Sequence, residues 1–255
     1  MATLQQRFRP CLPKSKQMQY LLSLIFTVLL FLCMLPCAVW VILAAPFGRS
    51  ASYRGAMAWV GIGFWLVRVL CGLRFTVSGQ ENIPEENCVV YLKHSSVWET
   101  LAELKVFPQQ TWVVKRELYW IPLFGWALAA LRPIAIDRSA HQSAVKQVIA
   151  KGTESISKGL WVMIFPEGTR MPPGSTRRYG LSGALLALQS KRRIVPVAHN
   201  AEDYWPQRGL LKRPGTVSLV VGPPIETEGR EAKDINDDAQ AWIEKTMRQI
   251  STSYQ

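Results

Sequence analysis

The hydrophobic pattern divides the chain into two unequal parts. Residues 20–47 form an uncharged run of 28 positions, longer than the roughly 20 that cross a bilayer core as a helix. Pro36 in its middle predicts a kink. A second apolar stretch, residues 56–73, is interrupted by Arg68 and is shorter and amphipathic. After Arg74 the rhythm changes to short β-rich runs alternating with helical ones. The predicted strands are RFTVSG, NCVVYL, TWVVKR, PIAIDR, LWVMIF, RIVPVAHN and TVSLVVG. Between and after them, helices are predicted at SSVWETLAELKVF, PLFGWALAALR, residues 141–158, SGALLALQS and residues 234–250. Such alternation predicts an α/β domain with a mixed, mostly parallel sheet flanked by helices. An N-terminal membrane helical hairpin precedes it. The expected organisation is a basic tail over 1–19, a membrane-anchoring segment over 20–73 and one catalytic domain over 74–255.

Charge sharpens this division. The 255 residues carry 30 Lys+Arg against 18 Asp+Glu, a formal net charge of +12. No acid precedes Glu81, so residues 1–80 hold eight basic groups and none of opposite sign, leaving 22 basic against 18 acidic groups beyond. A nucleic-acid binder spreads basic residues over a folded polar face. Here the acid-free part is also the apolar part, which points to anionic membrane lipids as partners and away from nucleic acid. Arg7, Arg9, Lys14 and Lys16 before the first run favour a cytoplasmic N-terminus, and two spans or a re-entrant hairpin return the chain to that face. A secretory signal has an apolar core of only about 7 to 15 residues, so a retained anchor is the reading. Five cysteines, odd in number and mostly in or beside the apolar segments, indicate no disulfide framework. Three widely separated histidines indicate no zinc site. Hydrophobic residues make up 49% of the chain, enough to offset the entropy of ordering and exclude disorder.

Two clusters carry candidate chemistry, and each directly follows a predicted strand, where α/β folds place ligands. The first is Lys93-His94-Ser95-Ser96-Val97-Trp98-Glu99. Ser95 or Ser96 can cap the helix, with His94 just outside it and Glu99 about one turn inside. From there the carboxylate can reach back to the imidazole, fix its tautomer and stabilise its charged form, the base-and-orienter arrangement of acyl transfer. The second is Phe165-Pro166-Glu167-Gly168-Thr169-Arg170. Arg170 can grip a phosphate with a two-pronged fork, Gly168 allows close backbone approach, and Thr169 adds a hydroxyl. Taken alone, each cluster also fits a surface histidine near a helix cap or a turn in which Glu167 and Arg170 pair.

Together the clusters resemble the glycerolipid acyltransferase family, most closely its lysophosphatidic acid acyltransferases. The His-x4-acid spacing of His94 and Glu99 is followed by FPEGTR about 70 residues on. Lys115-Arg116-Glu117-Leu118 with Pro122 and Gly125, leading to Ile136-Asp137-Arg138, resembles the family's second block, and Ile194-Val195-Pro196-Val197 its fourth. The resemblance covers roughly residues 75–225. Two departures stand out: Glu99 occupies a position where the family usually has Asp, and Tyr179-Gly180 replaces a Phe-Lys pair ahead of Gly183-Ala184.

The resemblance implies a membrane-bound enzyme that moves an acyl group from an acyl-CoA or acyl carrier protein thioester to the sn-2 hydroxyl of lysophosphatidate. It implies no cofactor and no metal. His94 is then the general base and Glu99 its orienter. Glu167, Gly168, Thr169 and Arg170 hold the acceptor, with Lys115 or Arg116 a second phosphate or oxyanion ligand. Phe124 and Trp126 are candidates for an acyl-chain slot, against an ordinary core role. His141 and His199 have no acid at motif spacing and read as structural or exposed. Two alternatives remain open: a different lyso-acceptor, and a non-catalytic protein that binds anionic lipid.

Overall fold

The computed structural model describes residues 15–137 and 141–254. Arg7, Arg9, Lys14, Cys11 and Arg138 lie outside the described residues, as does the side chain of His141.

Helix α1 (Lys16–Ala44) begins where the Ser15 hydroxyl accepts the Met18 N–H at 3.3 Å, and it stays helical through Pro36. A short 3-10 turn and Gly48, at a φ of 99° that only glycine adopts readily, reverse the chain into α2 (Arg49–Leu66). A π-turn, Val67–Cys71, closes it. Both helices are long and apolar enough to cross a membrane. They pack together, stitched by Trp59 Nε1–H to the Leu30 carbonyl and by the Ser52 hydroxyl to the Val41 carbonyl, both at 3.0 Å. Phe31, Leu43, Phe47 and Trp65 face outward, while Phe26, Leu30, Val41 and Val60 are buried. This split is what a helix needs when one side meets protein and the other hydrocarbon. Buried polar contacts lock the hairpin to the domain: the Gln19 amide donates to the carbonyls of Lys212 (2.6 Å) and Cys71 (3.1 Å), and Phe26 meets Trp205 edge-on at 5.2 Å.

The seven predicted strands all form. They are β1 (Leu73–Ser78), β2 (Val89–Leu92), β3 (Gln110–Lys115), β4 (Ile134–Ile136), β5 (Trp161–Ile164), β6 (Ile194–His199) and β7 (Gly215–Val221). They make one sheet in the order β1-β7-β6-β2-β5-β3-β4. Every pairing is parallel except β6 with β7. The central strands β2, β5 and β6 are buried on both faces, which is why they read as unbroken apolar runs. Alternation sends Val90 and Leu92 into the core shared with the hairpin and α3 (Glu99–Val106). Val89 and Tyr91 enter the opposite core, beneath α5 (His141–Ser157), α6 (Ser182–Ser190) and α7 (Ala232–Ile250). Helix α4 (Phe124–Ala130) packs against α1. Because β2, β3, β5 and β6 run in one direction, their carboxyl ends open on a single edge of the sheet, and both motif clusters leave from it.

Candidate active site

The turn that carries His94 and Glu99 departs from expectation in one detail. Helix α3 starts at Glu99 itself, so neither serine caps it and Glu99 does not lie a turn inside. Its carboxylate reaches back over the turn: Oε1 accepts the N–H groups of Ser95 (3.1 Å) and Ser96 (3.0 Å), and Oε2 the N–H of Ser96 at 3.1 Å. The same Oε1 lies 2.9 Å from His94 Nδ1. The same carboxylate therefore both holds the ring and ties down the turn that leads into its own helix. Glutamate suits this double duty because its extra methylene lets it span from the helix start to both the turn and the ring.

Glu99 is fully buried. Burial opposes its ionisation, but the His94 hydrogen bond, the nearby His199 and its own backbone N–H outweigh it and hold the carboxyl below its usual value. With Nδ1–H directed at Glu99, His94 Nε2 is left as the free base. The imidazole lies flat on Phe165, centroids 3.9 Å apart, and its side chain keeps 12% exposure, enough for a substrate to reach it.

A second buried charge cluster sits beneath the turn. Lys93 ends a wholly apolar strand with no solvent exposure, its ammonium 2.6 Å from Glu167 Oε1, 2.9 Å from Glu244 Oε1 on α7 and 2.9 Å from the Ser175 carbonyl. Burial pulls its pKa down, and the two carboxylates and Tyr254 more than reverse this, holding the ammonium above the ordinary lysine value. Glu167 Oε2 accepts the His94 N–H at 3.1 Å. Glu167 thus faces inward, supporting the backbone of His94, and burial leads its carboxyl to sit above the usual range. In the sequence Lys93 falls within the first cluster without a role of its own, and Glu244 is passed over; the available signal is a charge at the end of an apolar strand.

His199, fully buried at the end of β6, also belongs here. Its Nδ1 accepts the Ala201 N–H at 3.2 Å, so Nε2 carries the proton, donating to the Lys93 carbonyl at 2.9 Å and lying 3.8 Å from Glu99 Oε2. Burial keeps its pKa below the usual histidine value, with Glu99 pulling the other way.

The FPEGTR loop leaves β5 opposite the turn. Gly168 adopts φ +70° with open space around it, so the turn conformation, rather than crowding, calls for glycine there. Gly168 and Thr169 are exposed. The Met171 N–H binds the His94 carbonyl at 2.8 Å, and Arg170 Nε–H binds the Ser96 carbonyl at 2.7 Å, tying the two clusters together. Arg170 is thereby fixed to the turn through its Nε, with its two terminal nitrogens unpartnered among the described residues. Lys115 lies exposed at the end of β3, whereas Arg116 pairs with Asp137 at 2.9 Å.

Beside the turn, an apolar cavity of about 520 Å³ runs between the hairpin, α3, β3 and α4. Phe165 and Arg170 line it, together with Leu30, Val60, Leu104 and Phe124. Trp126, in contrast, is 61% exposed on the outer side of α4.

An acyltransferase family model matches residues 74–200, a span that holds both clusters. The chain is 46% identical over 205 residues to the 1-acyl-sn-glycerol-3-phosphate acyltransferase of Pseudomonas aeruginosa, covering 79% of this chain and 80% of that one. It is 27% identical over 224 residues to the enzyme of the same name from Saccharomyces cerevisiae, covering 84% and 73%. In fold it is similar to the crystal structure of the 1-acyl-sn-glycerophosphate acyltransferase from Thermotoga maritima, with a TM-score of 0.75 and 20% identity over 92% of this chain and 96% of that one. With sequence kinship across most of its length and a buried carboxylate seating a free imidazole at the sheet edge, the chain belongs to the acyltransferase family.

Proposed function

We propose that this protein acylates the sn-2 hydroxyl of lysophosphatidate, giving phosphatidate, at the cytoplasmic face of a membrane. The observation that carries the reading is the free Nε2 of His94, backed by a buried, ionised Glu99 at 2.9 Å. His94 Nε2 takes the hydroxyl proton as that oxygen attacks the thioester carbonyl. Glu99 stabilises the resulting imidazolium. Collapse of the tetrahedral intermediate forms the ester and breaks the C–S bond, and the departing sulfur takes the proton back from Nε2. The donor is an acyl-CoA or acyl carrier protein thioester.

Arg170 offers its free fork to the acceptor's phosphate, with the exposed Thr169 hydroxyl and Gly168 backbone beside it. Lys115 is the further cation at this edge. Glu167 acts through Lys93 and the His94 backbone, and Arg116 through Asp137. The cavity has the size and apolar lining of a ligand pocket, and it receives the donor's acyl chain. The apolar hairpin with its basic flanks seats the site against anionic lipid, so an acyl chain need not be drawn into water at about 0.8 kcal/mol per CH₂.

The test is transfer of a labelled acyl group from a thioester to a panel of lyso-acceptors, comparing wild type with His94→Ala. General base catalysis contributes about 10²- to 10⁴-fold, so the variant loses at least that much turnover while remaining folded. Near-normal turnover in it refutes the mechanism. Preference for an acceptor lacking a phosphate monoester refutes the substrate.

A further inference from the structure

Beyond the hairpin the chain keeps its large apolar side chains away from water, with few exceptions. Among the described residues after Cys71, Trp120, Ile121, Trp126 and Leu181 are exposed, at 75%, 46%, 61% and 42%. The first three share one short piece of chain, the 3-10 turn Arg116–Trp120 and α4 with the link between them. This unit is tight: a Cβ on Gly125 would lie 2.3 Å from the Tyr119 carbonyl oxygen, so α4 packs directly on the turn. Single exposed apolar residues are ordinary, but grouped ones mark a surface that docks protein or membrane.

The group is continuous with the outward face of the hairpin. Helix α4 packs on α1, and Phe31 of α1 and Ile121 both line the cavity between them while both remain exposed. Hairpin and domain therefore share an apolar rim at the mouth of that cavity. Neither Trp120 nor Trp126 lines the cavity, so holding an acyl chain does not account for them. Their surroundings do. No charged residue occurs from Leu118 to Leu131, while Lys115, Arg116 and Glu117 before this run and Arg132 after it are all exposed. Indoles with cations alongside suit the boundary between hydrocarbon and headgroups, where the ring meets lipid tails, the N–H meets water and the cations reach phosphates.

We propose that the Arg116–Trp120 turn and α4 form a second membrane contact, through which the catalytic domain itself sets Trp120, Ile121 and Trp126 into the headgroup boundary of a phospholipid bilayer. The proposal rests on the hairpin lying in that bilayer. The rim of the cavity is then seated in lipid from two sides, by α1 and by the domain.

The experiment uses the full chain in vesicles of phosphatidylcholine and phosphatidylglycerol. A photoreactive residue of aromatic bulk, benzoylphenylalanine, replaces Phe31, Trp120, Trp126 or Ala241, one site at a time. Irradiation joins it to whatever covers that site, and mass spectrometry of the protein reads the adduct. The sites of Phe31, Trp120 and Trp126 are expected to gain the mass of one phospholipid. The site of Ala241, exposed on α7 across the sheet from the hairpin, gains none. Lipid adducts at Phe31 but none at either tryptophan site overturn the proposal and leave the hairpin's seat in the membrane standing. Adducts at the tryptophan sites with the mass of a second chain overturn it by assigning the surface to self-association. Equal lipid labelling at the Ala241 site overturns a contact confined to this face. No lipid adduct even at the Phe31 site instead overturns the membrane seat on which the proposal rests.

Discussion

The sharpest test of the site is Glu99→Gln. The substitution keeps size and removes charge. When His94 takes a proton, the new positive charge lies within hydrogen-bond distance of the Glu99 carboxylate, 2.9 Å from Nδ1 to Oε1. Two unit charges about 4 Å apart at an effective dielectric near 20 attract by about 4 kcal/mol, equivalent to about a thousandfold in rate. A second effect acts in the same direction. Oε1 accepts from three donors, namely His94 Nδ1, Ser95 N and Ser96 N, and Oε2 faces Ser96 N and His199 Nε2. An amide NH₂ at either position opposes an N–H with another N–H, and the amide cannot be turned to avoid this. The expected result is a fall in kcat of about 10³-fold or more, with KM for both substrates little changed, measured by labelled acyl transfer on protein whose thermal unfolding shows it folded. If Glu99 acts only through His94, the double variant with His94→Ala is no slower than His94→Ala alone. Independent, multiplying losses, or a folded Glu99→Gln within tenfold of wild type, refute the pairing.

Further outcomes follow from the buried groups around this pair. Lys93→Met leaves Glu167 and Glu244 buried without their cation and is expected to destabilise by about 3–5 kcal/mol, whereas Glu244→Gln, which preserves the Lys93–Glu167 pair, costs about 1 kcal/mol; denaturant unfolding of the solubilised protein checks this, and equal losses contradict it. His199 is a positioning residue, so His199→Phe lowers kcat about tenfold without altering KM, and His199→Gln, which restores an N–H donor, recovers most of it; a change confined to stability argues for packing alone. Glu202 is buried with neither carboxylate oxygen partnered, and burial pushes it up to about 7. A raised folded-state value means the native state holds the proton longer, so stability falls as pH rises from about 4.5 to about 7, by about 3 kcal/mol in all. Glu202→Gln flattens that slope in unfolding measured across the range, and an unchanged slope assigns it to another group.

What was legible in the sequence, and what was not, has a consistent physical cause. The central strands were readable because doubly buried strands must be apolar, and β1 and β7 because their burial alternates along the chain, with Gly, Pro and charged residues setting the runs apart. His94, Glu99 and Arg170 were readable because their spacing along the chain equals their spacing around one turn or one loop. The start of α3 was not, since a carboxylate that folds back over the preceding turn leaves the same letters as one placed a turn inside the helix. Inward and outward roles were also hidden: FPEGTR does not say that Glu167 faces Lys93 while Thr169 faces solvent, and PLFGWALAAL does not say that Phe124 lines the cavity while Trp126 points away. The Lys93–Glu244 contact joins positions 151 residues apart, which no local pattern encodes.

That last contact bears on how the protein comes into being. The chain is synthesised from its N-terminus, so the apolar hairpin reaches the membrane first and His94, Glu99 and Arg170 follow. Yet the ammonium beneath the catalytic turn waits for Glu244 in α7, and the Tyr254 hydroxyl, which closes the cluster by binding the Ser175 carbonyl at 3.0 Å, comes later still. A nascent chain in which His94, Glu99 and Arg170 are already made therefore holds Lys93 through Glu167 alone, one carboxylate short of the finished cluster. The polar cluster beneath the turn is thus completed last, by the helix and the tyrosine that are made last.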